Sequence, residues 1–118
     1  MRKRTLSREI ALKILYAWDI SNEPMDEVHG KFWENNDTSG ENVKEFSDFL
    51  VFGVEANLEK LDDMITKHAT NWKLDRMATI DRNVLRIASF ELLFASEIPP
   101  KVAINEAIEM AKKYGDKD

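Results

Sequence analysis

Ile10, Ile14 and Ala17 fall on one stripe and Ala11, Leu15 and Trp18 on the adjacent one, a recurrence every three to four residues that predicts an amphipathic helix over residues 6–20. The helix should end around Ser21 and Asn22, and Pro24 suits the first turn of a shorter second helix running towards Phe32 and Trp33. Residues 35–42, NNDTSGEN, are dense in turn formers and read as a loop. Beyond it Val43, Phe46, Leu50, Val54, Leu61 and Ile65 keep helical spacing, which predicts one long helix of roughly seven turns towards His68. Gly53 weakens that helix by about 1 kcal/mol relative to alanine, so its presence predicts a close helix crossing.

Residues 71–77 read as a connection with a short helical turn, in which Trp72 and Leu74 pack the two halves together. Ile80, Val84, Ile87, Glu91 and Phe94 then mark a helix over residues 81–96, with Asp81 favourably placed in its first turn. Pro99 and Pro100 break it. A last helix over residues 101–114 turns Val102, Ala103, Ala107, Met110, Ala111 and Tyr114 inward, and Gly115 stops it. No period-two strand and no internal repeat is visible, so the predicted class is all-α: one domain over residues 1–118, with an N-terminal half at 1–70 and a C-terminal half at 71–118.

Composition narrows the chemistry. The chain has 118 residues and no cysteine, which removes disulfides, thiolate zinc sites and a cysteine nucleophile. No apolar run approaches the roughly 20 residues that span a bilayer, so the expected setting is soluble and cytoplasmic, without a membrane partner. Charge is the more informative quantity. The net charge is -5, yet the first ten residues carry Arg2, Lys3, Arg4 and Arg8 against Glu9 alone, so a basic end sits on an acidic body. Nucleic-acid binding, if present, is therefore local to that end.

No catalytic constellation is legible. His29 and His68 stand on different predicted helices without metal-ligand spacing, and there is no glycine-rich phosphate loop; the expectation is a non-enzymatic protein with no metal and no cofactor. Glu91 stands out because it shares an apolar stripe, where an unpaired carboxylate is costly; Arg86, a backbone amide or Asn105 is its expected partner. For the basic end, charge alone favours a solvated terminus. Against that, Arg4 and Arg8 lie one helical turn apart and can point the same way, and guanidinium forks suit phosphates. Single-stranded RNA also requires stacking surfaces; Tyr114 has the right character, though composition does not place it near the N-terminus.

IDRNVLRIASFELLF at residues 80–94, followed by IPPKVAINEAIEMAKKYG at 98–115, closely resembles the NusB family of bacterial transcription antitermination factors. The basic lead-in and LYAWDIS at 15–21 agree with it, and the likeness is weakest over residues 22–42. The resemblance implies two packed three-helix bundles and binding of the boxA element of ribosomal RNA leader transcripts. The implied partner is NusE, a small-subunit ribosomal protein, within an RNA polymerase antitermination complex that also aids ribosomal RNA maturation. Carried over by position, it implies RNA contacts at Arg2, Lys3, Arg4, Arg8, Tyr114 and Asp118, and a NusE-facing surface around Tyr16, Asp75, Asp81 and Arg82. Family members continue into a further motif and a final helix that this sequence lacks; the expectation is an apolar stripe from Val84 to Phe94 with less cover and a route to a homodimer. Two alternatives stay open at this stage, an RNA-binding module of a longer ribosomal RNA methyltransferase and a homodimeric helical scaffold.

Overall fold

The apolar stripes become six α-helices around one core in the computed structural model, which describes residues 2–36, 40–69 and 73–115. They are α1 (Arg2–Ser21), α2 (Met25–Asn35), α3 (Glu41–Ala56), α4 (Leu58–His68), α5 (Thr79–Phe94) and α6 (Pro100–Tyr114), with a single 3-10 turn at Leu74–Arg76 between α4 and α5. Among the described residues there is no strand, so the class is all-α.

Helix α1 is the central strut on one side, packing on α3, α5 and α2, and α5 is its counterpart, packing on α6, α1, α4 and α3. The stripes of α1 bury Ile10, Ala11, Ile14 and Leu15 against Val43, Leu50, Val51 and Val54 of α3 and Val84, Ile87 and Phe90 of α5. Ala17, at the end of one stripe, lies exposed. Asn22 closes α1 with a left-handed φ of 61°, its N–H donating to the Trp18 carbonyl at 3.2 Å; asparagine is one of the few side chains that tolerates this conformation. Pro24 caps α2 from outside, its carbonyl accepting from Glu27 and Val28.

The single long helix expected over residues 43–68 is two helices. Asn57 leaves helical geometry at φ -116° and ψ 20°, and its Nδ2 donates to the Gly53 carbonyl at 2.9 Å while its own N–H is shared between Gly53 and Val54. A short amide side chain that reaches back to the preceding turn competes with the helical ladder, so α3 ends at Ala56 and α4 starts at Leu58. The hydrophobic spacing runs through the break because Val54, Leu61 and Ile65 still face one core.

Gly53 is a close crossing, as its position predicts: a Cβ there would overlap the Phe90 ring of α5. Thr79 starts α5 two residues before the expected boundary, leaving Asp81 in the first turn. The terminator Gly115 has φ -74°, so it is required by space; a Cβ would lie 2.5 Å from the Ala111 carbonyl oxygen and 2.8 Å from Asp81 Oδ1. The inner part of the 84–94 stripe is covered, with Val84, Ile87 and Phe90 buried, while Leu85, Leu92, Leu93 and Phe94 stay exposed. Leu74 is half-buried beside the 3-10 turn, and Trp72 lies outside the described residues.

Candidate nucleic-acid interface

The basic end of the chain is a docked helical turn. Ser7 Oγ lies 2.8 Å from the Val43 carbonyl oxygen of α3 and 2.9 Å from that of Lys3, which share its single hydroxyl hydrogen. One residue on, Arg8 is 2% exposed and forks onto Glu91 of α5, Nε to Oε2 and Nη2 to Oε1, both at 2.8 Å. Its Nη1 lies 3.6 Å from Glu106 of α6, whose other oxygen accepts from Thr5 at 3.2 Å. Helices α3, α5 and α6 thus all hold the first turns of α1. The expected role of Arg8 as a surface phosphate contact meets a plain steric obstacle: it is buried, with its fork taken by Glu91. Glu91 is paired, as a buried carboxylate must be, but with Arg8 of α1 and with neither Arg86 nor Asn105.

Lys3 and Arg4 remain exposed at the mouth of this turn. They line a cleft of about 490 Å³ with Ser7, Asn42, Glu45, Phe46, Phe49 and Glu97. The Arg4 guanidinium lies over the Phe46 ring, 4.3 Å from its centre, which presents the cation while ordering its stem. Arg2 opens α1, and Asp118 lies outside the described residues.

Tyr114, 105 residues away in sequence, comes down on the same helix. Its hydroxyl donates to Glu9 Oε1 at 2.9 Å, and Lys113 Nζ contacts Glu9 Oε2 at 3.1 Å. Burial first, and then the bond to Glu9, pushes the Tyr114 phenol above its ordinary value, so it stays a donor; the bond to Glu9 likewise raises Lys113, which stays charged. Lys13 and Lys113 approach the tyrosine ring at 5.9 and 5.3 Å. The tyrosine ring, half-buried against the core, thus has one ammonium group near it from α1 and one from α6.

The four residues expected at a protein partner come from α1, the 3-10 turn and α5. Tyr16 stands exposed on α1 on the face of Glu9 and Lys13, and Asp81 neighbours Gly115 at the end of α6. Asp75 and Arg82 line a separate cleft of about 740 Å³ with Asp19, Asp62 and Arg86. In that cleft Asp19 Oδ2 accepts from Arg82 Nε and Arg86 Nη1, each at 3.0 Å, and from Asn83 at 3.1 Å, while Arg86 forks onto Asp62 at 2.8 and 2.9 Å. Burial raises the Asp19 carboxyl, but hydrogen bonds and charge from Arg82, Asn83 and Arg86 outweigh it and hold it below its ordinary value. Arg82 is thereby committed to Asp19 and the Leu74 carbonyl.

Sequence reasoning missed Glu9, Lys13, Lys113, Phe46 and Glu106. A signal existed for Lys13, one turn after Glu9 on the polar face, and for Lys113, next to Tyr114; Glu9, Phe46 and Glu106 depend on contacts across more than 30 residues. Of the histidines, His29 pairs with Asp48 at 2.7 Å and His68 contacts the Met64 carbonyl at 3.0 Å. Among the described residues no group of three His, Asp or Glu is placed to hold a metal, and no helix is long and apolar enough to cross a membrane.

Comparison with known proteins agrees with this geometry. The model of the NusB family matches residues 5–118. A transcription antitermination protein NusB from Anaeromyxobacter sp. (strain Fw109-5) is 49% identical over 113 residues, covering 96% of this chain and 78% of the relative. The protein of the same name from Bacillus subtilis (strain 168) is 43% identical over 116 residues, 97% of this chain and 83% of its own. A crystal structure of the antitermination factors NusB and NusE in complex with dsRNA superimposes with a TM-score of 0.88 at 29% identity, over 99% of this chain and 86% of that one. T. maritima NusB does so with a TM-score of 0.87 at 35% identity, over 97% and 80%. With its basic helix end, its docked Tyr114 and a match along nearly its whole length, the chain belongs to the NusB family.

Proposed function

We propose that this chain is a transcription antitermination factor that binds boxA RNA of ribosomal RNA leader transcripts together with NusE, and in that complex supports read-through by RNA polymerase and maturation of the transcript. The observation that carries the reading is the superposition along 99% of the chain on NusB in a NusB–NusE complex with RNA. The role is one of binding, exercised without catalysis and in the cytoplasm.

The physical division of labour follows from the charge distribution. Arg2, Lys3 and Arg4 take phosphates, which position an RNA without specifying it. Tyr114 supplies a stacking face beside Lys13 and Lys113, and Asp118 is a further RNA contact on the family resemblance. Arg8 contributes by fixing the turn that presents Lys3 and Arg4, through its fork onto Glu91. Tyr16, Asp75, Asp81 and Arg82 form the NusE side; the docking of Arg82 on Asp19 supports a preorganised surface there. An acidic body leaves RNA binding to its local basic groups.

A reconstituted transcription reaction tests this. On a template with a boxA leader upstream of a terminator, adding the protein with NusE and the other antitermination factors should raise read-through, and the Lys3→Ala/Arg4→Ala variant should lower the gain. Equal read-through on templates with and without boxA would overturn the proposal.

A further inference from the structure

A row of aromatic rings crosses α3 and α5, starting at the basic end of α1. The Arg4 guanidinium lies 4.3 Å from the centre of Phe46; Phe46 is near-parallel to Phe49 at 5.9 Å; Phe49 meets Phe90 edge-on at 5.1 Å; and Phe90 is near-parallel to Phe94 at 5.3 Å. Lys60 of α4 closes the far end, its Nζ 5.3 Å from the centre of Phe94. The inner rings Phe46 and Phe90 are buried, whereas Phe49 and Phe94 are 41% and 40% exposed. Core packing explains the buried pair. Phe49 and Phe94 present ring surface to water, with a cation at each end of the row.

Resting on the RNA-binding reading above, we propose that this row is a second contact surface, a stacking track for single-stranded RNA flanking the boxA element, with one base on Phe49 and one on Phe94. Charge and continuity select this occupant. The row begins at Arg4, so a strand whose phosphates are held by Lys3 and Arg4 reaches Phe49 within the same cleft, and Lys60 meets its backbone at the far end. Glu45 and Glu97 also line that cleft. They repel phosphate and accept hydrogen bonds from amino groups on base edges, so bases turn inward and the backbone stays at the cationic rim. Stacking on an aromatic side chain is tolerant of sequence, which suits a flank better than the specific element.

The experiment compares a short boxA RNA with the same RNA extended by unpaired flanks carrying 2-aminopurine, using the whole chain with NusE. The partner variant is Phe49→Leu/Phe94→Leu, which keeps apolar bulk over Phe90 and removes the flat faces, with thermal unfolding recorded to verify an intact fold. The wild type should bind the extended RNA more tightly and quench the flank fluorescence. The variant, which removes two stacks, should lose about 30-fold or more for the extended RNA and leave the short RNA unchanged. Equal affinity of the wild type for short and extended RNA, or a variant that keeps the gain and the quenching, overturns the track while leaving boxA binding intact. Failure of the short RNA to bind would instead count against the function proposed above. Wild-type self-association that the variant abolishes, with RNA binding unaltered, would assign the face to a second copy and likewise overturn the track.

Discussion

Replacing Glu91 by glutamine removes the charge that holds Arg8 and leaves the side-chain shape almost unchanged. Arg8 and Glu91 are each 2% exposed and joined by two bonds of 2.8 Å, so the change strands a guanidinium whose remaining carboxylate, Glu106, is 3.6 Å away. An uncompensated buried charge costs about 3–5 kcal/mol. For a domain of this size each kcal/mol moves Tm by about 3–6 °C, so the expected fall is about 9–30 °C, measured by far-ultraviolet circular dichroism and checked by urea unfolding. The double variant Arg8→Met/Glu91→Leu removes both charges and fills the space with apolar atoms, and should recover most of that loss, because desolvating an ion pair offsets much of its attraction. The same double variant separates the two roles open to Arg8. If Arg8 only fixes the turn, the refolded surface keeps Lys3 and Arg4, and the salt dependence of RNA binding is unchanged. A phosphate contact at Arg8 would instead reduce the magnitude of the log–log salt slope by about 0.7. A double variant as unstable as the single, or one that is stable but loses that slope, refutes the buried-clamp reasoning.

Gly53→Ala places a methyl in the Phe90 ring; overpacking of about 1–3 kcal/mol should exceed the roughly 1 kcal/mol gained in helix propensity, lowering the urea midpoint, and Gly53→Ala/Phe90→Leu should relieve it. Tyr114→Phe loses only the bond to Glu9, about 0.5–1.5 kcal/mol of stability, and should keep RNA affinity, whereas Tyr114→Ala should lose about 1–3 kcal/mol of binding in a fluorescence titration. The Asp19 carboxyl is held below its ordinary value of 3.8, so the stability it contributes is complete above about pH 4 and is lost as pH falls through the lower folded value. Asp19→Asn should therefore weaken the fold at neutral pH and flatten the acid limb below about pH 4 in unfolding measured across pH.

Helix positions were legible because burial follows the 3.6-residue period, and the Gly53 crossing was legible because glycine inside a helix needs a reason. The break at Asn57 was hidden for the same cause that made the helices visible: Val54, Leu61 and Ile65 keep their spacing and burial across it. Arg8 carried a readable signal. It extends the buried stripe of Ala11 and Leu15 backwards, whereas Arg4, one turn earlier, reaches the surface. Charge counting treats the two alike, and only the fold sets Glu91 opposite one of them. That Glu91 would be paired followed from the cost of burying a carboxylate; its partner, 83 residues away, did not. Tyr114 had the chemistry of a stacking group, but its seat beside Glu9 and Lys13 exists only once α6 lies along α1.

The central claim is that a preorganised basic turn and a docked tyrosine bind boxA RNA jointly with NusE. The most direct measurement is the affinity for boxA and for scrambled RNA, each with and without NusE, across a series of salt concentrations. The account predicts a preference for boxA that strengthens with NusE, and a log–log salt slope of roughly -2 to -3 from three to four phosphate contacts. Equal affinity for the two RNAs in the presence of NusE, or a slope near zero, would contradict it.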